Sequence, residues 1–358
     1  MPKILILPGD GIGPEVTGAA LGVLEEIERI AGVSFEKETE LFGGCSIDER
    51  GVPVTDGVLS KAGAADAVLL GAVGGEKWEN LDHSLKPETG LLSLRKTLDT
   101  YVNLRPARVY PALADASTLK REVVSGADIL VVRELTGGIY FGEPRGIEDC
   151  AGGRRGFNTL VYSTAEIGRV ARKAFLAARA RRGELVSVDK SNVLESMVLW
   201  RETVSQIGRE EFPDVKLTHL YVDNAAMQLI RRPKTFDVLL AGNLFGDIIS
   251  DEAAQLTGSL GMLPSASVGD GAAIYEPVHG SAPDIAGSDT ANPLAAILSA
   301  AMMLKHSFAM DAEAEMIDRA VSAALDAGFR TADIYEEGSR KVGCREMGET
   351  VARMLGRP

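Results

Sequence analysis

A chain of 358 residues with 45% apolar and 25% charged side chains has the length of two domains or one large α/β unit, and can bury a sizeable core. A formal net charge of −13 argues against binding a nucleic-acid backbone, which needs a basic face. It admits an anionic ligand only where arginines or a metal gather positive charge locally.

The first apolar run, KILILP (3–8), leads through GDGIGP into a helical pattern over 14–31, with Val16, Ala19, Val23, Leu24, Ile27 and Ile30 at helical spacing. Gly9, Gly11 and Gly13 suggest a phosphate-cradling loop, but a dinucleotide fingerprint needs its third glycine at position 14, where Pro14 stands. The acidic residue expected about 20 positions on would fall where the chain is still helical, at Glu25, Glu26 and Glu28. The loop therefore reads as a tight strand-to-helix turn, and a nucleotide would bind elsewhere. AVLLGAV (67–73) and ADILVVREL (127–135) are buried-strand runs. Ser163 and Glu166 form a capping box opening a helix to about Arg182. ELVSVD (184–189) predicts a strand, Asn192 to Phe212 a helix, and LTHLYVD (217–223) and FDVLLAG (236–242) strands that each lead into a helix. Asn292 and Pro293 open an apolar helix, with Asn as its N-cap. The alternation predicts βαβ units and a mainly parallel sheet. Cys45, Cys150 and Cys344 form no metal or redox motif and fit reduced thiols in the cytoplasm. With no export signal and no membrane-length apolar run, a cytoplasmic protein without a membrane partner is expected.

Several residues carry chemistry. Asp223 ends a strand, and Asp247 and Asp251 lie four apart on one face of a helix after the next strand. Such carboxylates either hold a hard divalent cation or form a solvated face. Arg95, Arg105 and Arg133 are individually ordinary ion-pair residues, but as a set they suit a di- or tricarboxylate. Lys190 directly follows a strand, and is either a base or an exposed helix-start lysine. Tyr140, among glycines in an expected hairpin, is a packing residue or a proton donor. EPVHGSAPDIAG (276–287) is a loop that lets a ligand approach its backbone, with Asp284 able to bond ribose hydroxyls.

LPGDGIGPEV, LLGAVGG-x-KW, ETGLLSLRK, NLRP, RELTGGIYFGEPRG, DKSNVL, VDNAAMQL, GNLFGDIISDEA and EPVHGSAPDIAG-x-x-x-ANP together, and in this order, resemble the isocitrate/isopropylmalate β-decarboxylating dehydrogenase family nearly end to end. The resemblance implies an α/β fold with an open twisted mixed sheet shared by two domains, distinct from a standard Rossmann fold. One domain would be discontinuous (1–100 and 253–358) and carry the NAD site. The other (101–252) would carry the dimer interface and much of the substrate and metal site. It implies NAD-dependent, metal-dependent oxidative decarboxylation of a 2-hydroxy dicarboxylate by a homodimer with shared active sites. Arg95, Arg105 and Arg133 would grip carboxylates. Asp247 and Asp251 would bind Mg²⁺ or Mn²⁺, with Asp223 joining them from the partner. Lys190, also from the partner, would deprotonate the C2 hydroxyl, and Tyr140 would protonate C3. NAD would contact Gly74, Gly75, Glu76, Lys77, Trp78 and Glu88 at its nicotinamide end, and His279, Gly280, Ser281, Ala282, Pro283, Asp284, Ile285 and Asn292 at its adenosine end. Glu88, Leu91 and Leu92 would set substrate choice, the leucines suiting an isopropyl group by about 2–3 kcal/mol. Asp284 would repel the 2′-phosphate of NADP. Many relatives have a proline where this chain has Glu76.

Rival readings are a sister enzyme for homoisocitrate, isocitrate, D-malate or tartrate, a metal-dependent hydrolase built on Asp247 and Asp251, and a non-catalytic binding protein. Leu91 and Leu92 disfavour the first, and HGSAPDIAG has no use in the second.

Overall fold

The computed structural model describes residues 1–356. Its contacts divide the chain into two compact units: Met1–Thr100, Tyr110–Thr118 and the segment from Thr257 onward form one, and Tyr101–Val109 with Leu119–Leu256 the other.

In chain order the first unit opens with strand β1 (Lys3–Gly9), helix α1 (Gly13–Ala31), β2 (Glu36–Thr39), α2 (Gly44–Arg50), α3 (Asp56–Ala64), β3 (Ala67–Ala72) and α4 (Pro87–Thr97). The second unit contributes β4 (Val102–Arg108), α5 (Arg121–Val124), β5 (Asp128–Glu134), the hairpin β6 (Gly146–Cys150) and β7 (Gly153–Phe157), α6 (Thr164–Arg179), β8 (Glu184–Asp189), α7 (Glu195–Glu211), β9 (Lys216–Tyr221), α8 (Val222–Arg231), β10 (Val238–Ala241) and α9 (Asn243–Ala254). The first unit then resumes with β11 (Pro264–Val268), β12 (Ala273–Pro277), α10 (Leu294–Phe308), α11 (Asp311–Asp326) and α12 (Cys344–Met354).

Both units are α/β with open mixed sheets, as expected. In the first, the order is β2-β1-β3-β12-β11, parallel except for the β11–β12 pair. In the second it is β4-β5-β10-β8-β9, parallel except for β4–β5. The runs AVLLGA of β3 and VLLA of β10 are buried at every residue, as parallel strands covered on both faces must be. Helix α1 turns Val16, Ala20, Val23, Leu24 and Ile27 inward, and α10 is apolar all round because it is almost wholly buried. In the second unit α6 buries Ile167, Val170, Ala174 and Phe175, and α7 buries Met197, Trp200 and Val204.

The parallel strands place the loops. The carboxyl ends of β1, β3 and β12 open at Asp10, Val73–Gly75 and Val278–Gly280, and those of β5, β10, β8 and β9 open at Glu134, Gly242, Lys190 and Val222. Ligands of open α/β sheets bind at such ends.

Local boundaries depart from expectation where a turn competes with a helix. The helix expected from Asn192 starts at Glu195, because Lys190–Leu194 closes a turn in which the N–H groups of Val193 and Leu194 donate to the Lys190 carbonyl. Strand β9 ends at Tyr221, so Asp223 lies in the first turn of α8, where a helix N-terminus favours an anion. Tyr140 ends a one-turn 3₁₀ helix, Gly138–Tyr140, and the hairpin follows it at β6–β7. Helix α10 begins at Leu294 with Pro293 at the N-cap, and Asn292 accepts from the Leu294 N–H at 3.0 Å. Helix α6 ends at Arg179.

Two consequences follow for stability. The Ser163–Glu166 capping box is formed in both directions, so Ser163→Ala should lower the urea-unfolding free energy by about 1 kcal/mol; an unchanged midpoint would deny the box any role. His219 of β9 packs its Nε2 on Ser205 Oγ at 2.9 Å. Burial, reinforced by Arg201 and only partly opposed by Asp189, holds the imidazole below its usual pKa. Below about pH 6.5 the unfolded chain therefore binds a proton that the folded one refuses, and stability falls as pH falls through that window. His219→Gln should show a shallower loss between pH 7.5 and 5.5; an identical loss would contradict this origin.

Candidate active site

In the second unit the antiparallel pairing of β4 and β5 sets Asn103 opposite Arg133, which puts Arg105, two residues on, diagonal to Arg133 on the same face. Both guanidiniums reach α9. Arg133, only 5% exposed, gives its Nε and Nη2 to Asn243 Oδ1 at 3.1 and 2.8 Å and pairs its Nη1 with Asp247. Arg105 gives Nη1 to Ser250 Oγ at 2.8 Å and to Asp251 Oδ1 at 2.9 Å, and its Nε to Asn103 Oδ1 at 2.7 Å. Asn243, Asp247 and Asp251 are successive i, i+4 positions, so one stripe of α9 meets both arginines. Tyr140 adds its hydroxyl, donating to the other Asp247 oxygen at 3.0 Å. Partial burial and the Asp247 charge raise its pKa, keeping the phenol protonated and able to donate.

Buried polar groups hold this face in place. Glu134 accepts from the N–H groups of Thr136 and Gly137 and from the hydroxyl of Tyr162. Tyr162 in turn accepts from the Asn243 N–H at 2.7 Å, and Asn243 Nδ2 donates to the Gly137 carbonyl at 3.0 Å. The loop that carries Tyr140 and the start of α9 are thereby fixed to one another. Burial pushes the Glu134 carboxyl above its usual range despite these donors.

Lys190 and Asp223 form a separate pair at 2.6 Å, with Lys190 depressing the Asp223 carboxyl. Asp189, fully buried, accepts from Ser191 N–H at 3.0 Å and from Arg201 Nε at 2.8 Å, and so shapes the turn bearing Lys190. Among the described residues of one chain, Asp223 does not cluster with Asp247 and Asp251. Among the described residues the three-donor cluster of metal-ligating type is Glu15, Asp289 and Cys344, in which Glu15 already takes the Gly287 N–H and Asp289 the Arg345 N–H. The oxygen donors of Asp247 and Asp251 are of the type that suits Mg²⁺ or Mn²⁺.

In the first unit Glu88, Leu91, Leu92 and Arg95 fall at i, i+3, i+4 and i+7 on α4. Arg95 is held by Glu276 of β12 at 2.7 Å. Leu91 packs on the core cluster that includes Phe42 and Leu94, which leaves Leu92 as the exposed apolar member. Leu92 and Glu88 line a cavity of about 280 Å³ with Gly75, Trp78, His83 and Pro87. Gly74 and Gly75, at φ 102° and 156°, shape this loop. Glu76, exposed, opens the short turn Glu76–Trp78, and Lys77 and Trp78 both bond Asp48. In the second cofactor segment His279 bonds the Gly280 carbonyl through Nδ1 and leaves a buried Nε2 without a partner. Burial lowers its pKa. Asp284 and Gly280 are exposed, and Ser281 is buried with its hydroxyl on the Gly74 carbonyl at 2.7 Å. Ala282, Pro283 and Ile285 form the turn that follows. Asn292 donates to Asp333 at 3.0 Å. These loops fit a dinucleotide in donor type and backbone access.

Asp10, Glu134, Tyr162, Asn243, Glu276 and Asp333 were not singled out in the sequence. Asn243 could have been found, since it stands one helical turn before Asp247.

The family model described as isocitrate/isopropylmalate dehydrogenase matches residues 3–351. The 3-isopropylmalate dehydrogenase of Saccharophagus degradans is 58% identical over 99% of both chains, and that of Aquifex aeolicus is 56% identical over 99% of this chain and 97% of its own. A chloroplastic 3-isopropylmalate dehydrogenase of Arabidopsis thaliana is 57% identical over 98% of this chain and 87% of its own. Among solved structures, isocitrate dehydrogenase from Methylococcus capsulatus superposes with a TM-score of 0.88 at 33% identity, covering 100% of both chains. A β-decarboxylating dehydrogenase from Thermococcus kodakarensis gives 0.80 at 34% identity, over 99% of this chain and 96% of that one. With its arginine–aspartate face and its two glycine-containing loops at strand carboxyl ends, the chain belongs to the isocitrate/isopropylmalate dehydrogenase family.

Proposed function

We propose that this chain is the enzyme that oxidatively decarboxylates 3-isopropylmalate to 4-methyl-2-oxopentanoate and CO₂ in leucine biosynthesis, using NAD and Mg²⁺ or Mn²⁺ in the cytoplasm. The observation that carries the reading is the α9 stripe, where two arginines, two aspartates and a protonated phenol converge. Identity of 56–58% to relatives named for 3-isopropylmalate, against 33% to the isocitrate dehydrogenase above, supports this branch. So does Leu92, an apolar side chain in the cavity beside Glu88 and Trp78. Exposed Asp284 favours NAD over NADP by repelling a 2′-phosphate. No helix of the described residues is long and apolar enough to cross a membrane.

Arg105 and Arg133, with Arg95, would take the substrate carboxylates. A dicarboxylate arriving at Arg105 and Arg133 competes with Asp247 and Asp251 for the same guanidinium N–H groups, and each aspartate released becomes a free oxygen donor. Substrate and cation binding are therefore coupled and reciprocal. NAD⁺, held by the 74–78 and 279–285 loops, would supply the hydride acceptor for C2, and a divalent ion held by Asp247 and Asp251 would supply a Lewis acid for the oxygen there. Lys190, as the neutral amine, would take the proton of the C2 hydroxyl, Asp223 would orient its amino group, and Tyr140 would return a proton to C3 once CO₂ has left.

Lys190 and Asp223, paired apart from Asp247, would act on a neighbouring copy in a homodimer. The hairpin β6–β7 is solvent-exposed along almost its whole length, with Ile147 65% exposed, and Met227, Ile230 and Ile248 on α8 and α9 are 56, 42 and 56% exposed. This apolar exposure supports the reading that these elements meet a second copy.

The wild-type enzyme should form NADH from 3-isopropylmalate with Mg²⁺ and stop when the metal is chelated; activity on isocitrate or D-malate alone would overturn the substrate assignment. Lys190→Ala should cut turnover by at least about a thousandfold while the substrate still protects against thermal unfolding; normal turnover would remove Lys190 from the chemistry. Leu92→Asn should lower kcat/KM for 3-isopropylmalate roughly tenfold with little change for D-malate; equal losses on both would deny Leu92 a part in selectivity.

A further inference from the structure

The opening GDGIGP turn answers to no phosphate, yet it sits at the centre of the first unit's loops. Asp10 is 3% exposed, and among the described residues its carboxylate meets no cation. It accepts three backbone N–H groups instead: Gly44 at 2.7 Å and Gly74 at 2.9 Å on Oδ2, and Cys45 at 2.7 Å on Oδ1. Gly44 and Cys45 are the first residues of α2, so one carboxylate caps a helix N-terminus and fixes the loop after β3 at the same time. That helix carries Asp48, which accepts from the indole N–H of Trp78 at 3.2 Å, and Gly44 leaves no room for a side chain because the Trp78 ring lies against it.

The same turn fixes the second cofactor segment. The N–H of Ile12 donates to the Ser281 carbonyl at 2.8 Å, and the Ser281 hydroxyl donates to the Gly74 carbonyl at 2.7 Å. Gly11 has φ +56°, and a Cβ there would stand 2.0 Å from the Ser281 carbonyl oxygen. A side chain at this position would push 281 away. Residues 10–12, 74 and 281 thus form a closed hydrogen-bonded triangle with Asp10 at one corner.

We propose that Asp10 is a positioning residue for the dinucleotide, setting the spacing between the 74–78 loop and the 280–284 loop while touching neither substrate nor cofactor. The inference rests on the reading of those two loops as NAD contacts. Asn at position 10 keeps at most two of the three acceptances, since its amide NH₂ must face one of the N–H donors, and Ala keeps none. Losing such charge-assisted bonds displaces the loops, and the loss should appear in cofactor affinity.

The test is steady-state kinetics of the intact enzyme with Asp10→Asn and Asp10→Ala, alongside NADH titration followed by quenching of Trp78 emission. The expected result is a KM for NAD raised about tenfold in Asp10→Asn and further in Asp10→Ala, with kcat within about threefold and KM for 3-isopropylmalate unchanged. A merely structural Asp10 would instead lower the melting temperature, depress kcat and raise both KM values together, which overturns the proposal. Should neither variant fold, hydrogen exchange on the wild type decides: NAD⁺ should slow amide exchange at 44–45 in step with 74–78 and 279–285, and protection of the latter two alone overturns it. His279→Ala separates the two readings. If it weakens NADH binding while Asp10→Ala does not, the cofactor assignment stands and the role of Asp10 falls. If the wild type binds no NADH, both fall.

Discussion

The second unit is organised by the neutralisation of two nearly buried guanidiniums. Arg133 and Arg105 extend from adjacent strands into a region with little solvent, and a buried cation is tolerable only when paired and hydrogen-bonded. Helix α9 supplies the partners in one stripe, because Asn243, Asp247 and Asp251 recur at helical spacing and the helix begins directly after β10. The Glu134–Tyr162–Asn243 network keeps the start of that helix in register with the Tyr140 loop. Remove the arginines, and the two aspartates repel one another on a half-exposed face. Remove the aspartates, and Arg133, 5% exposed, loses its Asp247 partner and Arg105 its Asp251 partner. In the proposed function, a ligand with two carboxylates arriving with a divalent cation would satisfy both halves of the arrangement, and that balance would let a protein of net charge −13 hold an anion.

The first unit solves a different problem, which is to hold several glycine-containing loops still. Its central strands are almost wholly buried and end close together, so loops leaving β1, β3 and β12 must be tied by backbone and short polar side chains. Asp10 and Ser281 do this with hydrogen bonds, and glycines at 11 and 44 permit the close approach. The glycines of the opening turn therefore serve contact between protein segments, where a dinucleotide fingerprint would use them for contact with pyrophosphate.

Much of this was legible in the sequence. AVLLGAV, ILVV and VLLA read as buried parallel strands because nothing but a doubly covered strand keeps such short apolar runs, and the arginines and aspartates stood out as charges at strand ends. The helix starts near 192 and 223 were misplaced because a five-residue turn closed by Lys190, and a helix opened by Tyr221, are decided by local hydrogen bonds that periodicity does not encode. Leu91 and Leu92 read alike in sequence, and only packing shows that the first belongs partly to the core. The residues missed altogether are mostly buried polar groups whose partners lie far away along the chain: Asp10 meets residues 34 and 64 positions on. Their role depends on where the chain returns, and no local pattern carries that.

The exchange of partners on the arginines is tested most directly by calorimetric titration of Mn²⁺ into the enzyme, with and without 3-isopropylmalate and in the absence of NAD. If Arg105 and Arg133 release Asp247 and Asp251 only when substrate carboxylates replace them, Mn²⁺ binds weakly to the free enzyme and at least about tenfold more tightly once the substrate is present, and Asp251→Asn removes the enhancement. Equal affinity for Mn²⁺ in both titrations would contradict the account.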